Sequence, residues 1–207
     1  PATGFMVIPA SSPSSPEELA NGQIVRDAML RLFVGIDFPP ELKLQLSLLR
    51  SGILGAKWVD PGNFHLTLRF IGETGEAVAS DIDDALARLR ARRFTLQLAG
   101  TGVFGGGDKP RSLWVGVEHR AELFALRDKV EQALVRVGLM PEPRKFSPHV
   151  TLARLHNPAF DKLSGFLAAQ ALFRAAPFPV EGFSLIASFP TKAGSIYQDQ
   201  ADYELLQ

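Results

Sequence analysis

The sequence predicts an α+β fold made of a duplicated unit: two lobes, each a small, mainly antiparallel sheet with helices packed outside, facing across a central cleft. First, apolar periodicities typical of strands and of helices alternate through both halves of the chain. Second, the pattern His-x-Thr followed by a hydrophobic residue occurs twice, in FHLTLRF at 64–70 and in FSPHVTLAR at 146–154. Third, 207 residues suffice for one large domain or two small lobes around a substantial core.

The secondary-structure elements follow from residue 31 onwards. Runs rich in β-branched and aromatic residues predict strands at 31–38, 57–59, 65–71, 94–98, 112–117, 149–155 and 179–188, and a pair of short strands within 195–205. Apolar residues at spacings of three and four predict helices at 41–54, 76–92, 123–137 and 160–174. A stripe of Val78, Ile82, Leu86 and Leu89 is expected to face the core from the second helix. A glycine-rich loop at 105–107 joins two of the strands.

Residues 1–28 differ from the rest of the chain. They are rich in Pro and Ser, begin with Pro1, and precede a methionine at position 29. This composition predicts a flexible N-terminal extension or an expression leader, and a genuine flexible tail is the alternative. Residues 29–207 are then expected to form a single bilobal domain.

Composition excludes several classes of protein. Lys and Arg together number 22, as do Asp and Glu, so the formal net charge is zero. The chain therefore lacks the overall positive charge that would bind long nucleic acid non-specifically. A nucleic-acid substrate would therefore be gripped locally, at an end or over a short segment. The chain contains no Cys, which excludes disulfides and thiolate zinc sites. No apolar run approaches the ~20 residues of a membrane span, and no export signal is recognisable, so we expect a cytoplasmic protein.

The two His-x-Thr patterns carry the chemical signal. A strand points residues i and i+2 to the same face, so His65 projects with Thr67 and His149 with Thr151. If both strands face one cleft, two imidazoles and two hydroxyls converge, which is the outline of a phosphate-transfer site. A single such pair is commonly a half-buried structural feature, and a zinc site would lack a third ligand. Two pairs in strands, 84 residues apart, favour the chemical interpretation.

These motifs, with the opening strand RLFVGID and the late segment SFPTKAGSIYQ, resemble the 2H phosphoesterase superfamily with its HxTx motifs. More narrowly, they resemble bacterial RNA 2′,3′-cyclic phosphodiesterases, which are 2′-5′ RNA ligase-like. The resemblance runs from about residue 30 to the C-terminus. It implies a bilobal 2H phosphoesterase domain that hydrolyses a terminal RNA 2′,3′-cyclic phosphate to a 2′-phosphate without metal or other cofactor. By the same resemblance His65 is the proton donor to the O3′ leaving group, His149 is the proton acceptor that activates water, and Thr67 and Thr151 donate hydrogen bonds to the phosphate.

The chemistry of ring opening agrees with that implication. Water must be deprotonated on one side of the phosphorus while the leaving alkoxide is protonated on the other. Imidazole titrates near ~6.5, so one histidine can be neutral while the other is charged. The sequence alone does not fix which histidine is the proton donor and which is the proton acceptor, because the site is quasi-symmetric.

Three further residues are candidates for substrate binding. Arg154 lies five residues after His149, where the family places a substrate-contacting arginine. Strand parity puts it on the opposite face unless the strand ends or bulges at Ala153. Phe33 is a candidate base-stacking platform, with core packing as the alternative. Arg69 falls on the strand face of the first motif, where it would meet phosphate or cap the edge of the cleft.

Other substrates and roles remain open. Arg144 and Lys145, in the loop before the second motif, would guide an RNA backbone or simply be solvated. The alternative activities are cleavage of 2′-5′ linked oligonucleotides, hydrolysis of a small nucleoside cyclic phosphate, and 2′-5′ RNA ligation. A non-catalytic module that binds RNA ends is the remaining alternative, although binding alone needs no pair of proton-transfer groups. The expected partners are RNA ends or short oligonucleotides bearing a 2′,3′-cyclic phosphate, with no obligatory protein partner and a monomeric state.

Overall fold

The computed structural model describes residues 29–105, 109–191 and 194–207. The predicted extension at 1–28 and most of the glycine-rich loop at 105–107 lie outside these ranges. The elements in chain order are β1 (Leu30–Asp37), α1 (Pro40–Ser47), β2 (Ala56–Trp58), a 3₁₀ turn (Pro61–Asn63), β3 (His65–Thr74), α2 (Glu76–Ala87), β4 (Phe94–Leu96), β5 (Leu98–Phe104), β6 (Ser112–Val117), α3 (Ala121–Arg136), β7 (His149–Leu155), α4 (Phe160–Ala169), β8 (Phe178–Val180), β9 (Gly182–Pro190) and β10 (Ser195–Glu204).

Two four-stranded antiparallel sheets form the framework. Their strand orders are β10-β9-β1-β3 and β2-β7-β6-β5, and a small β4-β8 ribbon accompanies them. Each sheet contains one motif strand, β3 in the first and β7 in the second. The predicted α+β class, with its two mainly antiparallel sheets, is therefore confirmed.

The two sheets exchange strands between the halves of the chain. Strand β2, from the first half, pairs with β7, while β9 and β10, from the end of the chain, extend the sheet of β1. The buried hydrophobic side chains form one connected cluster that draws on both sheets and on all four helices. Neither half of the sequence can therefore form its sheet alone, because separating the halves would break the β2–β7 and β1–β9 pairs as well as apolar contacts.

Several predicted boundaries are wrong for local reasons. Helix α1 ends at Ser47 instead of residue 54, and Leu48, just beyond it, is exposed. In α2 the core position belongs to Ala79, and Val78 points outward. The two short strands expected within 195–205 are one strand, β10, in which Gln200 forms a bulge between its paired neighbours. That extra residue breaks the alternation of apolar side chains and so divides the pattern in two.

Both motif strands contain a β-bulge directly after the threonine. In β3, Thr67 pairs with Gly35 and the residue two further on pairs with Val34, which leaves Leu68 without a partner. In β7, Thr151 pairs with Trp114 and the residue two further on pairs with Leu113, which leaves Leu152 unpaired. Because side chains alternate along a strand, one extra residue reverses the face of every residue after it.

The bulges decide the orientation of both predicted arginines. In β7 the reversal buries Ala153 and turns Arg154 to the same side as His149 and Thr151. Simple alternation had put Arg154 on the opposite face, and the bulge that corrects this lies at Leu152, one residue earlier than anticipated. In β3 the reversal turns Arg69 away from the motif and into the protein, where its side chain is 8% exposed. The prediction that Arg69 shares a face with the first motif is wrong.

Arg69 joins three elements instead. Its Nε donates to Glu131 Oε2 on α3 at 2.7 Å, and its Nη2 donates to the carbonyl of Met140 at 2.6 Å. Glu131 is itself only slightly exposed, so the pair is largely desolvated. A charge buried in this way depends on its partner, because removing one member strands the other.

We predict that Arg69→Ala lowers the free energy of unfolding by about 3 kcal/mol, the lower end for a broken buried ion pair, because Arg127 remains close to Glu131. Urea denaturation measures the change. Arg88→Ala is the matched control, since Arg88 pairs with Asp84 on the exposed face of α2 and should cost no more than about 0.5 kcal/mol. Equal unfolding midpoints for the two variants would contradict this account of Arg69.

The structure contains no helix, within the described ranges, that is both long enough and apolar enough to cross a membrane.

Candidate active site

The two motif strands meet at one cleft. Both His-x-Thr pairs and Arg154 line this cleft, which has a volume of about 270 Å³ and receives side chains from both sheets. The structure thus brings together His65, Thr67, His149 and Thr151, as the strand pattern predicted. Arg69 is absent from the cleft lining.

The two imidazoles are anchored in the same way. His65 Nδ1 lies 2.8 Å from the carbonyl oxygen of Asn63, and His149 Nδ1 lies 2.8 Å from that of Ser147. A carbonyl oxygen can only accept, so Nδ1 must carry the hydrogen in both rings. In the neutral ring this leaves the lone pair on Nε2, and each histidine therefore offers Nε2 for proton transfer.

Burial lowers the pKa of both histidines below the ordinary 6.5. For His65, the hydrogen bond to Asn63 and the charge of Asp37 oppose this effect of burial. For His149, the bond to Ser147 opposes it, and the nearby Arg154 cation lowers the pKa further. Both rings are consequently mostly neutral near pH 7 in the free protein, and an anion bound in the cleft would raise both pKa values.

The local symmetry is incomplete at the hydroxyl groups. Thr67 Oγ1 lies 3.1 Å from Nε2 of His65, whereas no corresponding bond joins Thr151 to His149 in the described structure. The neutral His65 ring can accept the Thr67 hydroxyl hydrogen, and the protonated ring can donate to the hydroxyl oxygen. The Thr67 hydroxyl can therefore keep this hydrogen bond in either protonation state of His65.

Aromatic rings hold the imidazoles in position. Phe33 is 3% exposed, and its ring centroid lies 4.7 Å from that of His65. Tyr197 contacts the same histidine at 5.0 Å, edge to face, and Phe104 contacts His149 at 4.7 Å in the same manner. Phe33 lines the cleft, but its low exposure and its contact with His65 leave little of the ring for a base, which favours the core-packing alternative.

Sequence reasoning missed several other residues of the cleft, among them Arg31 and Phe70. Phe70 follows the bulge of β3 as Arg154 follows the bulge of β7, so it occupies the corresponding place in the first motif strand. It is 36% exposed, and the Arg31 guanidinium lies over its ring, 5.2 Å from the centroid. Simple alternation put Phe70 on the opposite face, and the sequence offers no local signal for the bulge.

The described residues contain no group of three His, Cys, Asp or Glu side chains that could hold a metal ion. What the cleft offers is two imidazole Nε2 atoms, the hydroxyl groups of two threonines and the guanidinium groups of Arg31 and Arg154 around a space suited to a small anion. This set can bind a phosphate group and move protons at two of its oxygens.

Comparison with known proteins identifies a family for this chain. The family model described as LigT like Phosphoesterase matches the chain twice, over residues 36–114 and 115–197. RNA 2′,3′-cyclic phosphodiesterase of Aeropyrum pernix is 41% identical over 161 residues, which cover 75% of this chain and 89% of the relative. The protein of the same name from Thermotoga maritima is 34% identical over 179 residues, covering 82% and 92%.

Solved structures agree on the fold. The crystal structure of E. coli LigT complexed with 3′-AMP superposes with a TM-score of 0.72 at 26% identity, covering 86% of this chain and 99% of that one. The two family matches, one in each half of the chain, also confirm the predicted duplication. The chain therefore belongs to the LigT-like phosphoesterase family.

Proposed function

We propose that this protein hydrolyses the 2′,3′-cyclic phosphate at the end of an RNA to a 2′-phosphomonoester, with His65 as proton donor, His149 as proton acceptor and no metal ion. The observation that carries the proposal is the pair of imidazoles, each held through Nδ1, that line one small cleft together with two threonines. Relatives that cover most of this chain bear the name of this activity.

Each group has one step in the reaction. Nε2 of His149 removes a proton from water as the water oxygen attacks phosphorus. The bond between phosphorus and O3′ breaks, and Nε2–H of His65 gives its proton to O3′. The products are a 2′-phosphomonoester and a free 3′-hydroxyl, and the two histidines have exchanged protonation states.

The surroundings of the rings differ, and the assignment of roles rests on the family resemblance. Burial, Lys43 and His149 disfavour the protonated form of His65, while Asp37 and the bond to Asn63 favour it. Burial and Arg154 disfavour the protonated form of His149, which suits a ring that begins the reaction with a free lone pair. The anionic substrate adds one negative charge between them, which favours the protonation that catalysis requires.

The threonines and Arg154 stabilise charge on the phosphate. As water adds to phosphorus, negative charge grows on the non-bridging oxygens. The Thr67 and Thr151 hydroxyls can donate hydrogen bonds to these oxygens, and Arg154 offers guanidinium N–H groups from the same strand as Thr151. All three side chains project from strands of the two sheets, which fix their backbone positions around the cleft.

The direct test is incubation of an oligonucleotide ending in a 2′,3′-cyclic phosphate with the protein in excess EDTA, followed by mapping of the product. We expect turnover to a 2′-phosphate at the same rate with and without EDTA. A requirement for added metal would contradict the mechanism. A 3′-phosphate product would contradict the assigned leaving group, and binding without turnover would favour the non-catalytic alternative.

We also predict a bell-shaped dependence of kcat/KM on pH, with its maximum below pH 6.5. The reactive form of the free enzyme holds one proton on the pair, and burial lowers both pKa values, so this form becomes scarce as the pH rises through 7. The profile of kcat should lie at higher pH, because the bound anion raises both pKa values. A rate that climbs steadily to pH 9 would contradict paired histidines.

A further inference from the structure

A second cavity opens directly beside the active-site cleft. It has a volume of about 470 Å³, and Thr67, Phe70, His149 and Arg154 line both spaces. We call this cavity the side groove. The residues that line it but do not line the cleft are chiefly Phe104, Arg127, Arg144, Lys145 and Phe146. The two spaces therefore adjoin along the four residues that they share.

Aromatic side chains contribute to the side groove. Three partly accessible phenylalanines, Phe70, Phe104 and Phe146, line it. Phe70 also lines the cleft, while Phe146 packs T-shaped against Phe124 with the centroids 5.4 Å apart and has the Arg127 guanidinium 5.7 Å over its ring. Aromatic side chains beside a basic groove are the usual means of holding single-stranded nucleic acid, because every base has a face that can stack.

Internal pairing uses most of the charge around the side groove. Arg144 makes two hydrogen bonds to Glu142, at 2.8 and 3.0 Å, and lowers the pKa of that carboxyl group to about 2. Arg127 lies within 3.6 Å of Glu131, which also holds Arg69. Their charges are therefore already compensated.

Two cations remain for a ligand, Lys145 and Arg154. Neither has a carboxylate within 4 Å in the part of the chain that the structure describes, and the side chain of Lys145 is exposed. The whole chain carries no net charge, so this surplus is a local feature. An occupant with both an aromatic face and a negative charge would satisfy both kinds of side chain.

On the basis of the proposed function, we propose that the side groove binds the nucleotide that precedes the terminal one. Its base lies against the phenylalanines, and the backbone phosphate lies near Lys145. The cleft itself is small, and its His, Thr, Asn and Ser side chains suit the cyclic phosphate and its sugar, while Phe33, Phe70 and Tyr197 also line it. The chain of an RNA leaves that sugar on its 5′ side, and the adjoining side groove offers a place for the preceding nucleotide.

This subsite makes the enzyme selective for oligonucleotides. A cyclic mononucleotide fills only the cleft, whereas an oligonucleotide also gains stacking and a phosphate contact in the side groove. The two contacts differ in their response to salt, because only the phosphate contact releases counterions.

The test compares kcat/KM for a 2′,3′-cyclic-phosphate pentanucleotide with that for the cyclic mononucleotide of the same terminal base, in the full chain. Lys145→Glu and Phe146→Leu should each reduce the value for the pentanucleotide by roughly 5- to 100-fold, and should leave the mononucleotide within about twofold of the wild type. Lys145→Glu should also reduce the slope of log(kcat/KM) against log salt by about 1.

The matched controls are Lys162→Glu and Phe160→Leu, both on the exposed surface of α4 and outside either cavity. They should alter neither substrate. Phe146 packs against Phe124, so Phe146→Leu could impair folding. Lys145 lies on an exposed loop, and Lys145→Glu alone is then sufficient for the test.

Two results would overturn the subsite. Equal losses on both substrates would mean that these residues serve the terminal nucleotide or the catalytic centre. Unchanged values on both would mean that the side groove is empty during catalysis. Wild-type protein that turns over neither substrate would instead overturn the proposed function, and the subsite, which rests on it, would fall with it.

Discussion

The hydrogen bond from each imidazole Nδ1 to the carbonyl oxygen two residues earlier is the constraint on which the site depends. The bonds from His65 to Asn63 and from His149 to Ser147 have the same length and the same spacing along the chain. Each fixes the ring's tautomer and orientation, and each commits Nε2 to the cleft. A freely rotating histidine would present either nitrogen, and a proton relay between two such rings would rarely be aligned.

The backbone at the start of each motif strand supplies these carbonyls. Asn63 ends a short 3₁₀ turn that Asp60 caps by accepting from the backbone N–H of Gly62 at 2.8 Å. Ser147 lies in the loop immediately before β7. In both cases the carbonyl lies two residues before the histidine that opens the strand, so the carbonyl and the ring belong to the same junction between loop and strand. The geometry of each imidazole is thus largely a local property, repeated by duplication.

Duplication also explains how one bulge can have two consequences. An unpaired leucine after each threonine sends the next residue inward and the one after it back to the cleft. In β7 the inward residue is Ala153 and the returning one is Arg154. In β3 the inward residue is Arg69, which ties the sheet to α3, and the returning one is Phe70. The same backbone feature thus places a charged side chain on one side of the cleft and an aromatic side chain on the other.

The parts of this structure that depend on local pattern could be predicted from the sequence. The alternation around His65 and His149 defined both motif strands, and β7 begins and ends where predicted, at His149 and Leu155. The bulges could not be predicted, because Leu68 and Leu152 fit an alternating strand equally well, and their unpaired state depends on the neighbouring strand. The exchange of β2 and β9 between the sheets is likewise a matter of distant pairing, which no local periodicity encodes.

The most direct measurement of the central claim is the turnover of the cyclic-phosphate oligonucleotide by His65→Gln, His149→Gln and the double variant. If two imidazoles act at opposite ends of one proton relay, each single change should reduce kcat by about 10²–10⁴-fold. The double change should then cost far less than the product of the two, because either loss alone disables the relay. A single variant that keeps wild-type turnover would contradict the account.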